Sequence, residues 1–305
     1  MGNLPVRQYP HMTLMLVDIA TIYYRAYFSQ PDSLKSPDGR TINAVRGTLD
    51  ALTYFAAEFE PEHLVTAWDL AWRPEWRVDL VDSYKTARVA AEDEEQMPET
   101  LDDQVDMIRE ILSDWQVPCV GVEGYEADDV VAQYARTSLS KTLVVSGDRD
   151  LFQLIDDAKP VHVLFTGTGI SRHTYADGNH IQTKYGISAS QYGEFSVLRG
   201  DASDGLPGVK GVGEKTAAKL LADFGSIKDI LKAAKRSDSR ISARIAQNLI
   251  DHEDYIARAS KVVLLTQKIS VPKLSDDWKE PGHSPLLDEL GISRYESVWK
   301  QVVQK

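Results

Sequence analysis

Three short apolar runs in this chain close on aspartates, and that repeated pattern constrains the fold more than any other feature. Residues 13–17 (TLMLV) run into Asp18, residues 64–68 into Asp69, and residues 142–145 into Ser146-Gly147-Asp148. Runs this short fit strands covered on both faces. Two further runs, 118–122 and 160–165, have the same character. Between the runs lie stretches with apolar spacing of three and four (19–28, 42–59, 101–115, 126–139), which predict helices. Strands alternating with helices specify an α/β fold, a mostly parallel sheet flanked by helices. Residues 31–40 carry two Pro and one Gly and predict a loop. Residues 71–99 are charge-rich without an apolar stripe; a protruding, partly mobile helical segment is expected there.

Beyond about residue 185 the pattern turns helical: 189–199, 214–224, 226–234 and 240–265, then 286–290 and 295–303 as a closing tail. The division expected is a disordered extension (1–12), an α/β core (13–186) and a helical module with its tail (187–305).

With 305 residues, 43% apolar and 26% charged, the chain can bury a sizeable core. No apolar run approaches the roughly 18–20 residues of a membrane helix. The first dozen residues lack the apolar centre of a signal peptide. The single cysteine, Cys119, excludes an intramolecular disulfide and a cysteine metal cage, and a reducing cytoplasm is expected. The net charge of −12 is unevenly placed: residues 205–268 carry +5 and the remainder −17. A basic module on an acidic body leaves nucleic-acid binding open.

Nine carboxylates stand out, most of them at the ends of the expected elements: Asp18, Asp69, Glu126, Asp128, Asp129, Asp148, Asp150, and Asp201 with Asp204 just before a glycine-rich turn. Taken singly, each fits a helix cap or a turn former. Ligands of open α/β sheets bind beyond the carboxyl ends of the strands. Gathered there, these groups would repel strongly unless cations neutralise them. Oxygen-only ligation favours Mg²⁺ or Mn²⁺ over zinc. Two such ions form the usual clamp for phosphodiester hydrolysis. The seven histidines show no metal-ligand spacing, and no Ser-His-Asp arrangement competes.

Gly208-Val-Lys210-Gly211-Val-Gly213-Glu214-Lys215-Thr216 precedes an Ala- and Lys-rich helix. A phosphate-binding P-loop would need lysine where Glu214 stands. The alternative is a helix–hairpin–helix: glycines let the backbone approach DNA phosphates, and amides at the next helix start bind them. Lys210, Lys215 and Lys219 add charge, a grip on duplex backbone that reads no sequence. A plain glycine turn beside a solvated lysine face fits the same residues.

These motifs resemble those of the bacterial 5′-nuclease family, the flap endonucleases and the 5′-nuclease domain of DNA polymerase I. The matching stretches are Val17-Asp18 with Tyr24-Arg25-Ala26, Tyr84-Lys85-Thr-Ala-Arg88, Glu123-Gly-Tyr-Glu126-Ala-Asp128-Asp129, Ser146-Gly-Asp148-Arg-Asp150, and Gly200-Asp201-Ala-Ser-Asp204 running through Thr216. The resemblance covers roughly residues 13–270. It implies a PIN-like core with a helix–hairpin–helix module, acting on 5′ flaps, nicked or gapped duplex DNA in replication and repair. The chain ends near where a polymerase region would begin, which points to a stand-alone nuclease.

The resemblance further implies that all nine carboxylates serve two or more Mg²⁺ or Mn²⁺ ions. The first ion would use Asp18, Asp69, Glu126 and Asp128, and the second Asp128 with Asp148, Asp150 and Asp204. Lys85 would contact the scissile phosphate with Arg88 in support. Tyr24 and Tyr84 would stack on unpaired bases, and Arg25 belongs to the same DNA-facing motif. Gly208, Lys210, Gly211, Gly213, Lys215, Thr216 and Lys219 would hold duplex DNA, with K⁺ on hairpin carbonyls. Residues 71–99 would form the arch that admits the 5′ strand, and Glu92–Glu95 would weaken its hold on DNA. Trp68 stands where the family often has Phe, and Ser146 where threonine is more frequent. A monomer is expected, nucleoid-associated and free to meet replication or repair proteins. Two alternatives remain: a non-catalytic junction-binding protein, and a PIN-like ribonuclease.

Overall fold

The computed structural model describes residues 13–89, 97–275 and 277–304. A six-stranded sheet organises the N-terminal half. Its strands are β1 (Thr13–Asp18), β2 (His63–Ala67), β3 (Cys119–Val120), β4 (Lys141–Ser146), β5 (Val161–Phe165) and β6 (Thr174–Ala176), in the order β3-β2-β1-β4-β5-β6. β1 to β5 are parallel and β6 closes the edge antiparallel to β5. The central strands are apolar throughout because both faces are covered. Leu14 and Leu16 point to one face and Met15 and Val17 to the other, each 1% exposed or less.

The two faces recruit different parts of the chain. Helix Ala127–Thr137 and the helices of residues 189–265 cover the face of Leu14 and Leu16. Helices Ile19–Ser29, Asn43–Phe59 and Glu99–Asp114 cover the other, joined by the C-terminal tail. The tail thus returns to the α/β core: Trp299 stacks on Trp115, centroids 5.1 Å apart and planes 9° apart.

Three expectations need correction. The helix expected over 240–265 is two, Ala243–Asp251 and Glu253–Val263, broken at His252. Ser242 caps the first helix, and Glu253 and Asp254 favour a new start by placing negative charge in the first turn. The short strand β6 and helix Gly178–Tyr185 were not marked by the pattern.

The third concerns residues 71–99. The described part, through Val89, lies against the body, because Arg77, Val81 and Tyr84 are buried. Helix Glu75–Leu80 is tied to helix Glu253–Val263 where Arg258 donates to the Leu80 carbonyl at 2.9 Å. Ser83 Oγ donates to the Gly205 carbonyl at 2.6 Å. Gly205, at φ +68°, admits no side chain, since a Cβ would stand 1.9 Å from the Ser83 carbonyl. The extension 1–12 and the acidic stretch Glu92–Glu95 lie outside the described residues.

Candidate active site

Strand order reverses around β1: β2 and β3 extend the sheet on one side, β4 to β6 on the other. The crevice between the ends of β1 and β4 is therefore the topological switch point, where open α/β sheets bind ligands. Asp18 terminates β1 there, 4% exposed, and accepts from Ser146 Oγ at 2.7 Å. The Asp148 amide donates to Ser146 Oγ at 2.9 Å, and the Asp150 amide to Asp148 Oδ1 at 2.8 Å. Thr21 accepts from the Gly147 amide at 3.0 Å and donates to the Asp18 carbonyl at 3.1 Å. One hydrogen-bonded chain thus sets three aspartates from two strand ends.

The next group comes from β2 and the start of helix Ala127–Thr137. Asp69, just beyond β2, accepts from the Ala127 amide at 2.7 Å. Glu126 and Asp129 form a capping box. Arg77, 3% exposed, pairs with Asp129 at 2.9 Å and with Glu126 Oε2. Tyr84 donates to Glu126 Oε2 at 2.8 Å, and Lys85 pairs with Oε1 of the same carboxylate. Arg88 pairs with Asp204 at 2.7 Å, while the Lys85 amide donates to the Asp204 carbonyl at 3.0 Å.

The cleft these residues line divides in two. Asp18, Tyr24, Asp69, Lys85, Arg88, Glu126, Asp128 and Asp148 face one part. Arg77, Tyr84, Asp128, Asp150 and Asp204 face the adjoining part. Seven of the nine carboxylates therefore converge, with Asp128 common to both. The other two have local duties. Asp129 is held in its capping box by Arg77. Asp201 shapes its own turn, accepting from the Ser203 amide at 2.9 Å and from Arg199 at 3.3 Å.

Burial charges this arrangement with repulsion. The Asp18 carboxyl is pushed up to about 7, mainly by desolvation and further by Asp69 and Asp148, against the hydrogen bond from Ser146. Asp128 and Asp150 lie well above the ordinary carboxylate range and Asp148 above it, each mainly through burial and then through neighbouring carboxylates. The group therefore favours a bound cation, and its all-oxygen donors fit a hard divalent ion. Among the described residues no three potential ligands form a ready-made metal cage. The site is a lined cleft, which suits a cation that keeps water in its shell.

Other expected residues fall into place or out of it. Tyr24 lines the cleft, its ring 5.1 Å from that of Tyr23. Arg25 turns away from the cleft and donates to the Gly167 carbonyl at 3.1 Å. Tyr84 is 6% exposed, so its ring is not presented to a base; its hydroxyl supports Glu126 instead. Gly208 packs inward, its amide on the Tyr255 hydroxyl at 2.9 Å, and a Cβ there would stand 2.5 Å from the Arg199 carbonyl. Its role is to close the hairpin rather than to meet a phosphate.

Gly211 and Gly213 are exposed, and nothing lies within 4 Å of a Cβ built on Gly213. Gly213 caps helix Glu214–Phe224, with Lys215 exposed and Thr216 half-buried in the first turn. Lys210 is exposed and its carbonyl is fixed by Asn248 at 2.7 Å. Lys219 is exposed but pairs with Asp223 at 2.5 Å.

Arg77 was missed by sequence reasoning. It lies in a charged stretch whose pattern gives no sign of burial, and its partners are about 50 residues away, at Glu126 and Asp129. Tyr255 and Asn248, which brace the hairpin from the helices behind it, carried no signal either.

Comparison with known proteins accords with this geometry. The family model described as 5′-3′ exonuclease, N-terminal resolvase-like domain, matches residues 13–186, and 5′-3′ exonuclease, C-terminal SAM fold, matches 187–283. A 5′-3′ exonuclease of Streptomyces coelicolor is 45% identical over 263 residues, 85% of this chain and 87% of that one. A 5′-3′ exonuclease of Mycobacterium tuberculosis is 42% identical over 262 residues, 82% of each chain. DNA polymerase I of Mycobacterium bovis is 34% identical over 241 residues, 78% of this chain and 26% of that one. Among solved structures, bacteriophage T5 D15 flap endonuclease with DNA and metal ions shares the fold at TM-score 0.66 and 18% identity, covering 96% of this chain and 98% of that one. Strand ends lined with carboxylates, a glycine hairpin and both domain matches lead to one conclusion: the chain belongs to the 5′-3′ exonuclease family.

Proposed function

We propose that this chain is a structure-specific 5′ nuclease that hydrolyses DNA phosphodiesters at 5′ ends and flaps. The observation that carries the reading is the convergence of seven carboxylates on the β1/β4 switch point, faced by Lys85 and Arg88. Asp18, Asp69, Glu126 and Asp128 would hold one divalent ion, Mg²⁺ or Mn²⁺. Asp148, Asp150 and Asp204 would hold a second together with Asp128. Bound there, such ions supply a nucleophilic hydroxide at neutral pH and neutralise charge on the phosphate.

The chain's own groups divide the remaining work. Ser146 and Thr21 fix the β1 and β4 ends, so Asp18 and Asp148 are held before substrate arrives. Lys85 and Arg88 place positive charge where a phosphate entering the cleft would develop negative charge. Exposed backbone at Gly211 and Gly213, with Lys210 and Lys215, meets duplex phosphates without reading bases. Asp129 and Asp201 act as structural carboxylates.

The test is cleavage of a 5′-labelled flap duplex with Mg²⁺, Mn²⁺ or chelator, beside the free single strand and an RNA flap of the same shape. A discrete, metal-dependent DNA flap product is expected. Duplex binding without cleavage would replace the reading with a non-catalytic junction binder, and preference for the RNA flap with a ribonuclease.

A further inference from the structure

The two oxygens of Glu126 carry cations of different kinds. Oε2 is held on the buried side by Arg77, 3% exposed and also bound to Asp129, and by the Tyr84 hydroxyl at 2.8 Å. Neither partner can leave without stranding a buried charge or hydroxyl. Oε1 belongs to the cleft side, where its cation is Lys85, whose side chain is 13% exposed. The Lys85 ammonium also donates to the Trp72 carbonyl at 3.2 Å, so it keeps a neutral partner if it leaves the carboxylate. Its backbone lies in the left-handed region at φ +49°, an uncommon conformation for a side-chain-bearing residue. That conformation is held by the bond from the Lys85 amide to Asp204, which belongs to the segment leading into the glycine hairpin.

We infer that Lys85 is a resident counter-ion of the empty-handed enzyme, occupying the oxygen of Glu126 that a divalent ion takes, so that metal loading displaces the ammonium toward the substrate phosphate. Rivalry for one oxygen makes ion and lysine mutually exclusive there. An incoming phosphate that attracts Lys85 frees Oε1, so substrate and metal assist each other's binding, and linkage makes the assistance reciprocal. Arg77 takes no part in the exchange; it keeps Glu126 from turning after the lysine as it departs. The inference rests on the nuclease reading for the phosphate, but the exchange at Glu126 is independent of DNA.

The experiment measures Mn²⁺ affinity of the DNA-free chain by electron paramagnetic resonance of the unbound ion. Lys85→Met is compared with wild type and with Arg73→Met, which removes one positive charge beside the same segment, where Arg73 donates to the Tyr84 carbonyl at 2.7 Å rather than to a carboxylate of the cleft, and so gives the through-space effect. Lys85→Met is expected to bind Mn²⁺ at least about fivefold more tightly than wild type, and more tightly than Arg73→Met, while losing cleavage. A crystal of the wild type grown with Mn²⁺ should show the Lys85 ammonium away from Glu126. Mn²⁺ affinity in Lys85→Met equal to or below that of Arg73→Met, or a Lys85–Glu126 pair persisting beside bound Mn²⁺, would overturn the exchange. Failure of wild type to cut flap DNA would instead remove the nuclease reading and leave both Mn²⁺ results to be judged on their own.

Discussion

Eight of the nine carboxylates in and around this cleft, all but Asp69, fall into two groups that differ in how their charge is met. Glu126, Asp129, Asp201 and Asp204 each have a cationic side chain of their own, from Arg77, Lys85, Arg199 and Arg88. Asp18, Asp128, Asp148 and Asp150 have hydroxyls, amides and one another, and burial pushes all four up. The difference separates two tasks within one site. The paired carboxylates have architectural work whether or not a cation is present: through Arg77, Lys85 and Arg88 they fix helix Ala127–Thr137 and residues 73–88 against the body. The unpaired group stores repulsion that Lys85 and Arg88 relieve only in part, and such stored repulsion would favour a cation in the cleft.

Breaking the paired group should have the largest effect. Arg77→Met keeps most of the volume but leaves Glu126 and Asp129 buried without their shared guanidinium. A loss of about 3–5 kcal/mol is expected, read from urea denaturation in chelator. A loss below about 1 kcal/mol would mean the two carboxylates are not charged together in the folded chain, and the distinction between the groups would fall.

Removing a member of the unpaired group should do the opposite to stability. Asp148 is among the carboxylates that raise Asp18, Asp128 and Asp150. Asp148→Asn should cut flap cleavage by more than about 100-fold, beyond the usual cost of disturbing groups around a metal. The same change should raise the melting temperature of the metal-free chain. A variant that is inactive and also less stable would show that Asp148 is held by favourable contacts rather than against repulsion.

Acid should act as a milder version of that substitution. Asp18 rises from an ordinary value near 3.8 to about 7 in the folded chain. A carboxyl raised on folding favours the folded state below its unfolded value and loses that advantage as pH rises through the folded one. Metal-free stability should therefore fall between about pH 4 and pH 7, as far as this group controls it. Mg²⁺ should raise the melting temperature more at pH 7 than at pH 5. Equal stabilisation at both would show that the ion does not compete with protons for these oxygens.

How much of this was legible in the sequence follows from the same contrast. Asp18, Asp69 and Asp148 stand at the ends of strongly apolar runs, so period and polarity mark them without tertiary knowledge. The division of labour between Asp128 and Asp129 was not legible, because adjacent residues on a helix start point to different sides and only the buried Arg77 decides which is neutralised. Gly208 and Gly213 look alike in the hairpin motif, yet one meets the Arg199 carbonyl and the other open space. Residues 73–88 looked like a free segment because their anchors, Asp129, Gly205 and helix Glu253–Val263, are distant in sequence.

The contrast of paired and unpaired charge also applies to the lysines of helix Glu214–Phe224, with the smallest expected effect. Lys219 is exposed but already paired with Asp223 one turn on. Lys215 lies in the first turn, where the helix dipole disfavours a cation by a few tenths of a kcal/mol, and no described carboxylate pairs with it. Lys215→Ala should leave stability unchanged or slightly higher, weaken binding to duplex of any sequence, and reduce the slope of log affinity against log salt by about 0.9. Lys219→Ala should reduce that slope less, since Asp223 already offsets its charge. Equal slopes for the two variants would mean that the i,i+4 pair opens on DNA at no cost, and that pairing on this exposed face, unlike in the cleft, does not decide which charge is available.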